Sequence, residues 1–326
     1  MRLNGLAKMA TVMALGVSSI SQSADHQRLY AKELVMPAFQ QATLTKDAPI
    51  TDVRFSSPTT LLMIGQTAIW RWDLASAKLL RTQIVNTTEG SGNSLRHMGS
   101  DGLSDFVASD SKLFQISWSP GRVLQFDIGQ QDNTLGFAGE GDNYWLIKAR
   151  HLLRIDRYSK SVIDRYQYDL PESIKAVFDP LRQRLWYLTK REVRFIDFHD
   201  SNSESHVSAR LKSTGIDLQI TTHELVALTQ SGVLRLNFAG KQLQLIPVEG
   251  RRKIRNMSIS EAYHAYLFDD QYLEIYNVPT RSTSVAQIPA AFTQPADAMH
   301  FNRDFVALLV AGTPRVFSLS PDKPGD

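Results

Sequence analysis

Five titratable residues, Asp52, His97, Asp217, Asp297 and His300, fall in equivalent short apolar strands. Gathered round one axis, such groups could hold a cation or carry out acid–base work. Their positions match only loosely. The sequence therefore reads them as hydrated polar groups lining a channel, or as hydrogen-bonding groups at strand ends. His223-Glu224 begins like the helical zinc motif, but no second His follows four residues after the first, and the context is a strand. The eight His are otherwise scattered singly. No Gly-x-Ser-x-Gly nucleophile turn occurs. Glu89-Gly90-Ser91-Gly92-Asn93 is Gly-rich, but no helix follows to supply a phosphate-binding dipole, so it reads as a flexible loop. With no cysteine, thiol nucleophiles, cysteine-ligated zinc, iron–sulfur clusters and disulfides are all excluded. No catalytic residue, metal or cofactor is expected.

A second chemistry is electrostatic. Lys148, Arg150 and His151 lie together, as do Lys190 and Arg191; Lys212 and the run Arg251, Arg252, Lys253 follow. Strand turns and the loops between units would bring them to one face, with only Glu172, Glu192 and Glu249 opposing. A basic sector of this kind attracts an acidic protein surface, an anionic glycan or a lipid headgroup. The plainer alternative is a solvated charged face.

The elements that would position these residues repeat. Strand endings recur as AIWRWD at Asp73, LFQIS at Ser117, LLRID at Asp156, VRFID at Asp197, VLRLN at Asn237, LEIYN at Asn277 and PRVFS at Ser318, spaced 39 to 44 residues apart. Each ending has a strand just upstream, such as TLLMIG, YWLIK or FVALLV, and another before that. After most endings come a turn and a fourth strand, such as KLLRTQI or RVLQFDI. Many strands are apolar on both faces, as expected for a sheet stacked between two others. Four short antiparallel strands every 40 or so residues is the unit of a β-propeller blade. The expected fold is all-β. It is a seven-bladed propeller over residues 24–326, with blades at about 48–87, 93–131, 133–170, 173–212, 214–249, 253–289 and 295–320. Only LSPDKPGD follows the last ending, so the strand at 28–37 is expected to complete the last blade and close the ring. A β-sandwich or two smaller barrels is the alternative.

Residues 1–23 carry Arg2 and Lys8, an apolar stretch from Met9 to Val17, and small polar residues ending at Ser23. This layout predicts a secretory signal peptide cleaved after Ser23, or else an uncleaved amphipathic anchor. No cysteine follows for lipid attachment, so the product is expected to be periplasmic or secreted, with no transmembrane segment. The full chain carries 36 Lys+Arg against 33 Asp+Glu; without Arg2 and Lys8 it is 34 against 33. A nearly neutral body gives no argument for nucleic-acid binding.

The stretch Ile69-Trp70-Arg71-Trp72-Asp73-Leu74-Ala75-Ser76-Ala77-Lys78 resembles the WD-repeat strand ending in Trp-Asp. It is also similar to the Asp-x-x-Ser/Thr-Gly-Lys turn of bacterial quinoprotein-like propellers, with Ala77 where Gly is usual and Arg81 where a docking Trp is usual. No Gly-His pair accompanies it. The resemblance is to a divergent WD-repeat/quinoprotein-like bacterial propeller. It implies an exported interaction or scaffold module of the cell envelope more often than an enzyme, with a protein as partner. A binder of small ligands or carbohydrates, or a hydrolase- or lyase-type propeller acting at the central channel, is the second expectation, and a quinone-dependent dehydrogenase a third.

Overall fold

A computed structural model describes residues 27–35, 50–65, 68–83, 95–100, 104–109, 111–118, 121–129, 134–170, 172–199, 204–247, 253–289 and 296–321. Among these residues it is all strand and turn. Strand β1 (Gln27–Leu34) comes first. A first sheet holds β2 (Asp52–Ser57), β3 (Thr60–Ile64), β4 (Ala68–Asp73) and β5 (Lys78–Gln83). The second holds β6 (Arg96–Ser100), β7 (Ser104–Ala108), β8 (Lys112–Ser117) and β9 (Arg122–Asp127). The third holds β10 (Thr134–Glu140), β11 (Asn143–Lys148), β12 (His151–Asp156) and β13 (Val162–Gln167). The fourth holds β14 (Lys175–Asp179), β15 (Arg184–Leu188), β16 (Glu192–Asp197) and β17 (Ser205–Arg210). The fifth holds β18 (Gly215–Ile220), β19 (Leu225–Thr229), β20 (Gly232–Leu236) and β21 (Gln242–Pro247). The remaining strands are β22 (Ile254–Ile259), β23 (Tyr263–Phe268), β24 (Tyr272–Asn277), β25 (Ser282–Gln287), β26 (Ala298–Asn302), β27 (Phe305–Val310) and β28 (Thr313–Ser320).

These last strands correct the expectation of seven separate blades. They form one eight-stranded sheet in the order β22-β23-β24-β25-β1-β28-β27-β26. The molecule is five four-stranded sheets plus this one. The cause lies in β1. A strand has two hydrogen-bonding edges, and only one was given a partner in the sequence reading. Tyr30 to Leu34 pairs antiparallel with Ser320 to Val316 of β28. Gln27 to Tyr30 also pairs parallel with Ser284 to Gln287 of β25. That second pairing welds the last two groups of strands together. The ends of the long sheet, β22 and β26, also touch, so it folds back on itself. Its interior is an apolar cluster that includes Leu267, Leu273, Phe301, Leu308 and Phe317.

The sheets are arranged like a propeller. The first strands β2, β6, β10, β14, β18, β22 and β26 each touch the next in turn, and β26 touches β2, which closes an inner ring. Between neighbouring sheets lie apolar clusters, such as Trp145, Leu152, Phe178 and Tyr187 between the third and fourth. Second strands sit deepest: every residue of β3, β7 and β19 is buried. This explains their apolar character on both faces. Outer strands such as β13 alternate between half-buried and exposed residues, as a one-sided strand must.

The polar residue that ends the third strand of a sheet shapes the turn after it. Asp73 Oδ1 accepts the backbone N–H groups of Ala75 and Ser76 at 2.9 and 3.1 Å. Asp156 does the same for Tyr158 and Ser159, at 3.0 and 2.7 Å, and Asn237 for Ala239 and Lys241, at 3.0 and 2.8 Å. These are Asx turns. They leave one residue near the left-handed region: Ala77 at φ 52°, Lys160 at 59° and Gly240 at 76°. At Gly240 the requirement is also steric, because a Cβ there would sit 2.4 Å from Ser208 Oγ and 2.9 Å from its carbonyl oxygen.

Candidate functional site

The turns between second and third strands emerge beside the linkers between sheets, and backbone hydrogen bonds join the two. Tyr168 N–H donates to Arg150 O (3.1 Å), Leu211 N–H to Arg191 O (2.7 Å), Gly215 N–H to Lys190 O (3.0 Å) and Asp269 N–H to Lys253 O (2.9 Å). One face therefore carries Arg150, Lys190, Arg191, Lys212 and Lys253, all exposed, with His151 half-buried beside them, and also the exposed acids Asp169, Glu172, Asp269, Asp270 and Asp297. Lys148 does not join them. Residues 144–148 of β11 are all buried and the turn starts only at Ala149, so the Lys148 side chain stays within the sheet stack at 0% exposure. Arg251 and Arg252, like Glu249, lie outside the described residues.

On this face a pocket of about 460 Å³ opens in the seam between the third and fourth sheets. It is lined by Glu172 of the linker and by Tyr187, Thr189, Lys190, Arg191, Glu192, Arg194 and Ser205 of the fourth sheet. Strand alternation places Tyr187 and Arg194, cross-strand partners in β15 and β16, on the side that meets the third sheet. Tyr187 is fully buried, and its hydroxyl bonds Ser205 Oγ. Arg194 spends its donors inside the pocket. Nε donates to Ser205 Oγ at 2.9 Å, Nη1 to Glu192 Oε2 at 2.7 Å, and Nη2 to Ser205 O at 3.3 Å. The hydrogen-bonded Glu192 carboxylate raises the Arg194 pKa above its ordinary value. Arg210 Nε adds a weaker approach to Glu192, at 3.8 Å. Glu192 is therefore neutralised inside the pocket, while Lys190 and Arg191 project from the turn.

That turn is built tightly. Thr189 Oγ1 accepts the N–H groups of Glu192 and Arg191 at 3.0 and 3.3 Å, and Thr189 N–H donates to Glu192 O at 2.9 Å. Gly215 at the start of β18 packs against it. A Cβ at Gly215 would lie 2.8 Å from Thr189 O and 2.9 Å from Leu188 carbons. The next sheet thus braces the turn from behind. Sequence reading named Lys190, Arg191, Glu172 and Glu192 but missed Tyr187, Thr189, Arg194 and Ser205. One signal was available: Glu192 and Arg194 stand two apart on one strand, and the period of two puts them on the same side.

Of the five expected channel residues, the four whose side chains are described each make their own contacts. Asp52 accepts Val53 N–H at 2.9 Å and pairs with Arg54 at 3.1 Å. Asp217 accepts Leu218 N–H and Gln219 Nε2, both at 2.9 Å, with Lys175 of the neighbouring inner strand at 3.9 Å. Asp297 accepts Ala311 N–H at 3.0 Å. His300 Nδ1 accepts Phe55 N–H at 3.4 Å from the neighbouring sheet. His97 is described only as a backbone position in β6. Among the described residues no group of three or more His, Asp or Glu is placed to hold a metal ion.

A buried polar cluster lies between the fifth sheet and the eight-stranded sheet. Arg235 grips Glu224 with two donors, Nε and Nη2, each at 2.7 Å, and Nη1 reaches Gln244 at 2.8 Å. His264 Nε2 lies 3.6 Å from Glu224 Oε1, and its Nδ1 lies 3.5 Å from the Tyr266 hydroxyl. Burial pushes the His264 pKa down and the Tyr266 pKa up. With Glu224 and His264 both buried, this cluster ties two sheets together.

No family model matches the chain, and no curated protein is significantly similar to it. Among the described residues no helix is long and apolar enough to cross a membrane.

Proposed function

We propose that this chain is an exported, non-catalytic interaction module of the bacterial cell envelope, and that its turn face holds an acidic partner protein. The observation that carries this reading is a single one. Lys190 and Arg191 stand exposed side by side at the mouth of the pocket, on a face where the other exposed cations, Arg150, Lys212 and Lys253, are interspersed with exposed Asp169, Glu172, Asp269, Asp270 and Asp297. Complementary charge on a rigid face speeds encounter and selects the partner. The rigidity comes from the inner ring and from linkers hydrogen-bonded to the turns, so the cations are presented at fixed spacing.

The test is site-specific photocrosslinking in intact cells. A photoreactive residue at position 212, on the turn face, should give one discrete adduct. The same residue at position 158, in the turn after β12 at the other end of that strand, should give none. Reversing the charge of the other four cations, Arg150, Lys190, Arg191 and Lys253, should abolish the adduct. Equal adducts from both positions, or an adduct that survives the reversal, would overturn the reading.

A further inference from the structure

We infer that the seam pocket between the third and fourth sheets is the seat for a carboxylate side chain of an extended acidic peptide segment. This deepens the reading above and rests on it. Three observations lead there. The pocket is concave, on the side of the fourth sheet that meets the third, and is lined by Glu172 of the linker and by seven residues of the fourth sheet. Its internal acid, Glu192, is already held by Arg194 at 2.7 Å, and Arg194 is itself fixed by Ser205 through two further bonds. Arg194 is therefore a positioning residue: it cancels the one carboxylate that would repel an incoming acid from inside. Lys190 and Arg191 are left exposed at the mouth, with Glu172 as the opposing rim charge.

The arrangement of charge selects the class of ligand. A phosphate is best held by several donors converging on one point. Here the exposed cations are spread over consecutive units, with Lys190 and Arg191 adjacent on the fourth sheet and Arg150, Lys212 and Lys253 single among exposed Asp169, Glu172, Asp269 and Asp270. A distributed array suits a chain bearing several carboxylates. The pocket supplies one recessed anchor in that array, with Thr189, Ser205 and Tyr187 among its lining residues.

Fluorescence anisotropy with the full mature protein and a labelled octapeptide of alternating Glu and Ser tests this. Saturable binding is expected. Lys190→Glu with Arg191→Glu should weaken it by about tenfold, whereas Lys212→Glu with Lys253→Glu should weaken it by no more than about threefold. Glu172→Gln should tighten it by about twofold, a gain that a misfolded variant cannot give. Inorganic phosphate at equal concentration should not compete, and vesicles of anionic phosphatidylglycerol should not bind. The inference is overturned by no saturable peptide binding, by equal losses in the two double variants, by phosphate competition, or by vesicle binding in place of peptide binding. If the peptide fails while the adduct at position 212 persists in cells, the pocket assignment falls and the interaction module stands. If the adduct is absent, the wider reading falls whatever the peptide does.

Discussion

Glu224, Arg235 and His264 show how one buried charge is made tolerable. A carboxylate removed from water needs a partner of opposite charge and good hydrogen bonds, and truncating one member of such a pair typically costs about 3–5 kcal/mol. The two-pronged Arg235 contact supplies both needs. His264 packs against the pair, with Glu224, Arg235, Tyr266, Tyr276 and Glu261 around it. Burial lowers its pKa in the folded state, with Arg235 acting in the same direction and Glu224 and Glu261 opposing. The sign follows. Below about pH 6.5, the ordinary value for an unfolded histidine, the unfolded chain takes up a proton that the folded chain resists. This contribution to stability is therefore complete above that pH and declines as pH falls toward the depressed folded value. Melting temperature measured from pH 7.5 to 5 should fall on the acid side, and His264→Gln should flatten that fall; an equally steep fall in the variant would contradict the assignment. In the sequence, His223-Glu224 stood out only as an incomplete zinc motif. The true partners were illegible there. Arg235 lies across a hairpin, and His264 belongs to another sheet.

At the scale of elements, β1 decides the architecture. It fills the gap between β25 and β28 and satisfies the exposed edges of both. An unpaired edge is a template for association with other chains. Leu29 and Ala31 also pack on the core of the eight-stranded sheet, and Leu34 on the cluster shared with the first sheet. A variant lacking residues 27–34 should elute as dimers and larger species in size-exclusion chromatography and should melt at a lower temperature. A monomer of unchanged stability would show that β1 is dispensable. The sequence made a strand near residues 28–37 legible, together with its pairing to the end of the chain. The parallel pairing to β25 was not legible, because a strand's second edge carries no composition of its own.

For the whole molecule, the ring converts scattered residues into one charged face. The full chain's excess of three positive charges is small, so attraction on the turn face must come from local arrangement. Screening then gives a clear expectation. Raising salt from about 0.05 to about 0.5 M should weaken capture of the proposed acidic partner roughly tenfold, chiefly through slower association. Binding that is indifferent to salt in surface plasmon resonance would assign the contact to apolar area elsewhere.

The sequence by itself determined the short strands, the polar turn residues that end them and the propeller-like stacking. Each of these follows from local patterns: apolar runs, Asx turns and regular spacing. Tertiary structure alone decided that the last two groups of strands fuse through β1, that Lys148 is withdrawn from the basic face, and that Arg194 and Ser205 shape a pocket there. Those outcomes depend on which edge meets which and on which side of a strand faces a neighbour, and a one-dimensional pattern carries neither.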